Sequence, residues 1–303
     1  MTTAFVSAAS VKDALAAMAD GARPIAGGTD LVVGARQAKA PLPASLVAID
    51  RVGELRGMAV ENGALRLGAL TTHEQIAADL FVCERLTALA DAALIVGSHA
   101  TRAQGTVGGN LMNASPAMEA GGPLIAFGAT VTLRSMGGER RLPVADLLTG
   151  PGETAAESGE LLTEVNVPVP PEGTGSCYAR LEYRRQMEIA IVGATAVVTL
   201  GDRRVAAAKV AITALAPTVR LVPEAEDALA GTDGGRAAAD AAAEAAAAAS
   251  QPISDVRGSA DYRRSMAAVV TRRAVEAAVA RARGEQVPIP ASRFLFGATG
   301  RPS

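Results

Sequence analysis

Apolar and polar positions alternate along the first half of the chain in short helical and extended stretches. Ser10 with Asp13 makes a capping-box pattern, and Val11, Leu15 and Met18 share one helical face. With Gly21 as a stop, this predicts a helix over 11–19. Pro24-Ile25-Ala26 predicts a short strand running into Gly27-Gly28, with Thr29 or Asp30 placed to cap the next helix or turn. Leu46 to Ile49 and Leu65 to Leu70 read as strands, the first closed by Asp50. Thr72-His73-Glu74-Gln75 is a second capping box, predicting a helix near 73–79. Leu86 to Ile95 and Pro123 to Phe127 read as helices. Val131 to Arg134 and Arg140 to Leu142 flank Gly137-Gly138 in a hairpin pattern. Helices and strands alternate, so the fold class is mixed α/β (α+β).

A boundary falls at Val167-Pro168-Val169-Pro170-Pro171-Glu172-Gly173-Thr174-Gly175, where proline and glycine concentrate. Beyond it, Tyr178 to Tyr183, the apolar run Ile189 to Leu200, the turn Gly201-Asp202-Arg203-Arg204 and Val210 to Leu215 predict a three-stranded antiparallel sheet. Three helices come after it, over about 223–230, 237–249 and 260–283, the last with Tyr262, Met266, Val269 and Val270 in helical spacing and Gly284 as its stop. The alanine-rich Ala237 to Ala249 is expected to be a surface helix, since alanine has the strongest helix propensity. The expected organisation is 1–173, with subdomains of about 1–56 and 57–173, then 174–285, then an extended tail over 286–303.

Composition narrows the function. The 303 residues are 49% hydrophobic and carry 29 basic against 31 acidic side chains. That balance argues against a nucleic-acid partner, which usually calls for a basic excess or stripe. Cys83 and Cys177 are the only cysteines, too few for an iron–sulfur cluster held by four. His73 and His99 are the only histidines, which excludes a histidine-rich metal site; both are expected on surface helices or loops. Redox chemistry in this chain would need an organic cofactor. The start of the chain lacks a signal-peptide pattern, and the longest apolar stretch, Ile189 to Leu200, falls short of the roughly 20 residues of a membrane span. The expectation is a cytoplasmic protein with no membrane span.

Two glycine-rich segments carry candidate chemistry: Ala26-Gly27-Gly28-Thr29-Asp30-Leu31 and Gly105-Thr106-Val107-Gly108-Gly109-Asn110. Either can set bare backbone N–H groups against an anion, with Thr29, Asp30, Thr106 and Asn110 adding side-chain hydrogen bonds. Neither matches the dinucleotide fingerprint or the P-loop. Taken singly, each is compatible with a plain turn. Taken together, they suggest one split pyrophosphate clamp. Asn113-Ala114-Ser115-Pro116-Ala117-Met118-Glu119 comes directly after as a polar turn.

The order AGGTDL, TTHEQIA, GTVGGN with NASPAME, EYRRQMEIAIVGATA and GSADYRR resembles the FAD-binding medium subunit of molybdenum hydroxylases, the carbon monoxide dehydrogenase and xanthine dehydrogenase group. The resemblance spans roughly residues 1–284. It implies a two-subdomain FAD-binding domain of the vanillyl-alcohol-oxidase type, followed by a three-stranded antiparallel sheet with a helical bundle. It implies that Ala26, Gly27, Gly28, Thr29, Asp30 and Leu31 hold the ADP part of FAD. Thr106, Val107, Gly108, Gly109 and Asn110 would hold the pyrophosphate, with Ser115 and Glu119 touching the cofactor and Tyr183 close to the flavin ring. Glu119 and Glu188 stand where relatives commonly have aspartate, and Gly97-Ser98-His99-Ala100-Thr101-Arg102 departs from the more frequent His-Pro-Gln-Ile-Arg form. Arg184 and Arg185 are read either as interface residues or as a solvated pair.

The resemblance further implies an electron-transfer subunit with no catalytic base. Substrate would be hydroxylated at a molybdenum cofactor on a large subunit, and electrons would pass through two [2Fe-2S] clusters on a small subunit to FAD here and on to an external acceptor. The expected assembly is a dimer of heterotrimers. Two other readings stay open: a self-contained flavin oxidoreductase, and a FAD-free scaffold. A [4Fe-4S] cluster in this chain, as in 4-hydroxybenzoyl-CoA reductases, is excluded by its two cysteines. The extension after Gly284 is read as either a disordered tail or a partner-docking segment.

Overall fold

A computed structural model describes residues 4–184 and 186–296. Arg185 and the end of the tail, with Pro302, lie outside the described residues. Three strands open the chain: β1 (Ala4–Ser7), β2 (Arg23–Ile25) and β3 (Ser45–Ala48), parallel in the order β1-β3-β2. Helix Val11–Ala19 connects the first two, and its capping box forms as expected, with Ser10 and Asp13 bonded reciprocally.

The next layer is a five-stranded sheet of β4 (Met58–Glu61), β5 (Ala64–Gly68), β6 (Thr130–Ser135), β7 (Gly138–Pro143) and a later strand, Leu161–Pro168. Strands β8 (Leu148–Gly150) and β9 (Glu153–Thr154) form a small ribbon before that strand, which is β10. β10 lies in the middle of the sheet, antiparallel to β5 and β6. Six helices fill the excursion between β5 and β6: His73–Ala78, Leu80–Arg85, Thr87–Ile95, His99–Gln104, Val107–Asn113 and Gly121–Ala126. Seven residues of Thr87–Ile95 are buried, which places this helix at the centre of the largest core cluster.

The second half contains β11 (Thr174–Leu181), β12 (Val192–Gly201), β13 (Arg204–Thr213) and β14 (Arg220–Leu221). The sheet therefore has four strands where the sequence pattern predicts three. β14 is two residues long, too short to show alternation, and pairs at Ala211↔Leu221 and Ile212↔Arg220. β13 starts at Arg204, ahead of the predicted Val210, because the alanines that open it favour helix on propensity alone. The β12–β13 turn places Asp202 and Arg203 at φ 50° and 63°, the left-handed pair of a tight hairpin.

Helices Pro223–Leu229 and Ala260–Ala282 pack on this sheet, and Arg236–Ala249 packs against those two helices. Arg236–Ala249 lies at the surface as its alanines suggest, with Ala237, Ala241 and Ala248 exposed, but one of its faces is packed. Ala239, Ala242, Ala243 and Ala246 are buried against the rest of the second core, because small side chains let this helix approach its neighbour closely. The tail is not wholly extended: its described part folds back into helix Ala291–Leu295, with Ala291 and Ser292 buried. Among the described residues, no helix is long and apolar enough to cross a membrane.

The halves are joined through helix Thr87–Ile95 and β11. Thr87 Oγ1 donates to Ser176 O at 2.7 Å, and Ala88 N donates to Ser176 Oγ at 3.0 Å. Asp91 accepts from Tyr178 N at 3.2 Å and from Ala291 N at 2.8 Å. Ala214 N reaches Pro116 O at 2.7 Å, tying the end of β13 to the turn after helix Val107–Asn113.

Candidate functional site

The first glycine segment leaves β2 and turns at Gly28, whose φ of +67° suits glycine. Val32 N donates to Gly28 O at 3.0 Å, closing the turn into helix Leu31–Arg36. Asp30 occupies the cap position, but its side chain makes no capping bond. Ala26 to Thr29 are half-buried and Asp30 is exposed. Among the described residues, no backbone acceptor takes the N–H of Gly27, Gly28, Thr29 or Asp30. Such groups are seldom left without a partner, so a ligand or water must satisfy them.

The second segment is held differently. Val107 N donates to Thr71 O at 2.9 Å and Gly108 N to Ala69 O at 3.0 Å, stitching the loop to the end of β5. Thr106 caps helix Val107–Asn113, its Oγ1 accepting from Gly109 N at 3.1 Å. The N–H groups of Val107, Gly108, Gly109 and Asn110 are thus all committed within the fold. The sequence pattern suggests bare donors here; the capping threonine and the β5 contact consume them. What this loop offers outward is the exposed face of Gly109 and the side chain of Asn110, whose buried Oδ1 has no hydrogen-bond partner.

The two segments meet edge to edge. A β-carbon built on Gly27 would lie 1.9 Å from the carbonyl oxygen of Gln104, so any larger residue must push the two backbones apart. One built on Gly105 would lie 3.5 Å from Thr29 Oγ1 and 3.4 Å from His73 Cδ2. Gly108 is equally constrained, its β-carbon position lying 2.8 Å from both Ala69 Cβ and Ala69 O.

His73 lies beneath this junction, not at the surface where the sequence pattern puts it. It opens helix His73–Ala78, is 2% exposed, and its backbone N–H donates to Gly105 O at 3.1 Å. Burial, helped by the nearby Arg102 charge, pushes its imidazole down to about 4. His99 is exposed, with Nδ1 3.0 Å from Arg102 Nη2.

The remaining sequence candidates are more scattered. Leu31 is half-buried at the start of its helix. Ser115 Oγ accepts from Ala117 N at 3.3 Å and shapes the polar turn. Glu119 is buried and its carboxylate is engaged by Arg180, which also binds Glu182 through Nε at 2.7 Å. Burial raises the Glu119 carboxyl, with Arg180 opposing. Tyr183 is exposed and donates from its hydroxyl to Arg257 O at 2.9 Å. Arg184 pairs with Glu188 at 3.1 Å within the same loop. Sequence reasoning missed Gln104 and Arg180 as parts of this region. Gln104 acts through its main chain, so its identity carries no signal. Arg180 sits in a strand pattern whose neighbours are otherwise apolar, which is the one hint available.

The donor set fits a dinucleotide such as FAD. Unpaired N–H groups at Gly27 to Asp30 suit diphosphate oxygens, and the orphaned Asn110 Oδ1 suits a sugar hydroxyl. Among the described residues, no group of three or more His, Cys, Asp or Glu is placed to hold a metal ion.

Residues 1–170 match the family described as the FAD binding domain in molybdopterin dehydrogenase, and residues 177–278 match the CO dehydrogenase flavoprotein C-terminal domain. The chain is 34% identical over 277 residues to the carbon monoxide dehydrogenase medium chain of Afipia carboxidovorans, covering 90% of this chain and 96% of that one. It is 34% identical over 285 residues to subunit alpha of the 6-hydroxypseudooxynicotine dehydrogenase complex of Paenarthrobacter nicotinovorans, covering 92% and 95%. The solved structure of reconstituted CO dehydrogenase from Oligotropha carboxidovorans superposes with a TM-score of 0.89 at 33% identity, covering 93% of this chain and 99% of that chain.

Proposed function

The chain belongs to the family of FAD-binding medium subunits of molybdenum hydroxylases, and on that basis we propose that it carries electrons from [2Fe-2S] clusters on a small partner subunit to an external acceptor. The molybdenum cofactor and the substrate then belong to a large partner subunit, and the assembly is a dimer of heterotrimers in the cytoplasm. The relatives are named for different substrates, carbon monoxide and 6-hydroxypseudooxynicotine among them, while matching this chain over 90% and 92% of its length. That suits a division of labour in which the flavin subunit does not choose the substrate.

The observation that carries the reading is the close approach of Gly27 to Gln104, which supports taking the two distant glycine segments as one clamp. Bound FAD would supply a redox centre able to exchange electrons one or two at a time. This chain's residues hold and orient it. The free N–H groups of Gly27 to Asp30 bind the diphosphate, assisted by the Thr29 hydroxyl, with Asp30 contributing its main-chain N–H while its exposed carboxylate turns to solvent or a ribose hydroxyl. Thr106, Val107 and Gly108 fix the opposing loop, while Gly109 and Asn110 present its outer face. Ala26 and Leu31 flank the clamp, and Ser115 shapes the turn beside it. Glu119 acts through Arg180 in holding the loop that contains Tyr183 near the flavin ring.

The test is anaerobic reduction of the flavin in the co-expressed complex and in the isolated chain. Reduction by substrate only in the complex supports the electron-transfer role. Turnover of a small donor by the isolated chain would favour a self-contained oxidoreductase, and a folded chain without flavin in either form would favour a scaffold.

A further inference from the structure

His73 lies at the crossing of the two clamp loops and has one unmatched ring nitrogen. Its Nδ1 is buried with no hydrogen-bond partner among the described residues. A β-carbon built on Gly105 would lie 3.4 Å from His73 Cδ2, the ring carbon bonded to Nε2, and 3.5 Å from Thr29 Oγ1, so this edge of the ring and the Thr29 hydroxyl approach the same glycine. The backbone N–H of His73 already holds Gly105 O.

We propose that His73 is a positioning residue of the diphosphate clamp, fixing the Gly105 loop through its main chain and presenting a ring Nε2–H beside Thr29 for an oxygen of the bound dinucleotide. The inference rests on the FAD reading of the site. Two physical arguments support the tautomer. A neutral imidazole carries one N–H, and an orphaned buried acceptor is less costly than an orphaned buried donor. Nδ1 has no acceptor, so the hydrogen belongs on Nε2. The ring stays neutral, because burial and the Arg102 charge depress its protonation. A neutral donor suits a position close to Arg102, where a second full positive charge would be repelled.

Side-chain amides separate the two ring nitrogens, since glutamine places its N–H near the position of Nε2 and asparagine near that of Nδ1. The experiment measures FAD and ADP affinity of the full chain for wild type, His73→Gln, His73→Asn and His73→Leu, with thermal melting to confirm folding. The expected result is near-wild-type binding by His73→Gln and losses of roughly 10-fold or more for His73→Asn and His73→Leu, equal for FAD and ADP, as for loss of a hydrogen bond to a charged group. Unchanged affinity in a folded His73→Leu chain would overturn the proposal. So would rescue by asparagine instead of glutamine, or a loss for FAD with ADP unaffected. A wild-type chain that binds neither ligand would overturn the FAD reading itself, a result distinct from any of these.

Discussion

Asp91 and Arg281, 190 residues apart in the chain, meet at 2.6 Å in a buried ion pair that ties the first half of the molecule to the second. The same carboxylate accepts from Tyr178 N on β11 and from Ala291 N in the tail. Arg281 also donates to Ser176 O at 2.7 Å, to Val287 O at 3.2 Å and to Pro288 O at 3.1 Å. One pair therefore fastens helix Thr87–Ile95, β11, helix Ala260–Ala282 and the tail.

Asp91→Ala should cost about 3–5 kcal/mol, because it leaves the Arg281 charge buried and unpaired. Urea unfolding measures this, and limited proteolysis should show earlier cleavage near 285–296. The Asp91→Ala/Arg281→Met double variant should lose less than the sum of the single losses, as expected for directly coupled partners.

Gly27→Ala should weaken FAD binding and destabilise the fold by about 1–3 kcal/mol, the usual cost of forcing atoms into a packed site. The control is Gly34→Ala in helix Leu31–Arg36, where an added β-carbon meets nothing within 4 Å. It should leave flavin affinity unchanged and raise stability by up to about 1 kcal/mol from helix propensity. Parallel unfolding curves and flavin titrations check both.

Much of this arrangement is legible in the sequence, and the parts that are not have physical reasons. Both capping boxes form, because Ser10–Asp13 and Thr72–Gln75 are local patterns that need no tertiary information. The hairpin at Gly137-Gly138 is local too. β10 escapes a sequence reading because it runs into the proline-rich boundary, yet it is central to its sheet. The buried face of Arg236–Ala249 escapes because alanine is equally at home on a surface and in a tight helix contact. His73 escapes because its burial depends on the Gly105 loop, more than 30 residues away. The two glycine segments are visible as motifs, but their contact at Gln104 is a main-chain event that no residue type announces.

Burial of His73 also gives stability a pH dependence. Its folded value of about 4 lies below the ordinary 6.5, so the unfolded chain binds a proton that the folded chain refuses. Stability should be full above the ordinary value and decline as pH falls from about 6.5 to about 4, by up to about 3 kcal/mol. His73→Gln should flatten that part of the curve, measured as unfolding free energy against pH.

Whether the paired glycine segments form one FAD clamp is decided by an equilibrium FAD titration of the full chain beside Gly109→Asp. Gly109 is exposed, and an added β-carbon there meets only Thr106 Oγ1, at 3.0 Å, so the capping hydroxyl must give by a few tenths of an ångström, and Gly109→Ala is the control that carries the same contact without the carboxylate. The wild-type chain should bind flavin saturably, and the folded Gly109→Asp variant should bind at least about tenfold more weakly through like-charge repulsion of the diphosphate. Equal FAD affinity in wild type and Gly109→Asp would contradict the clamp.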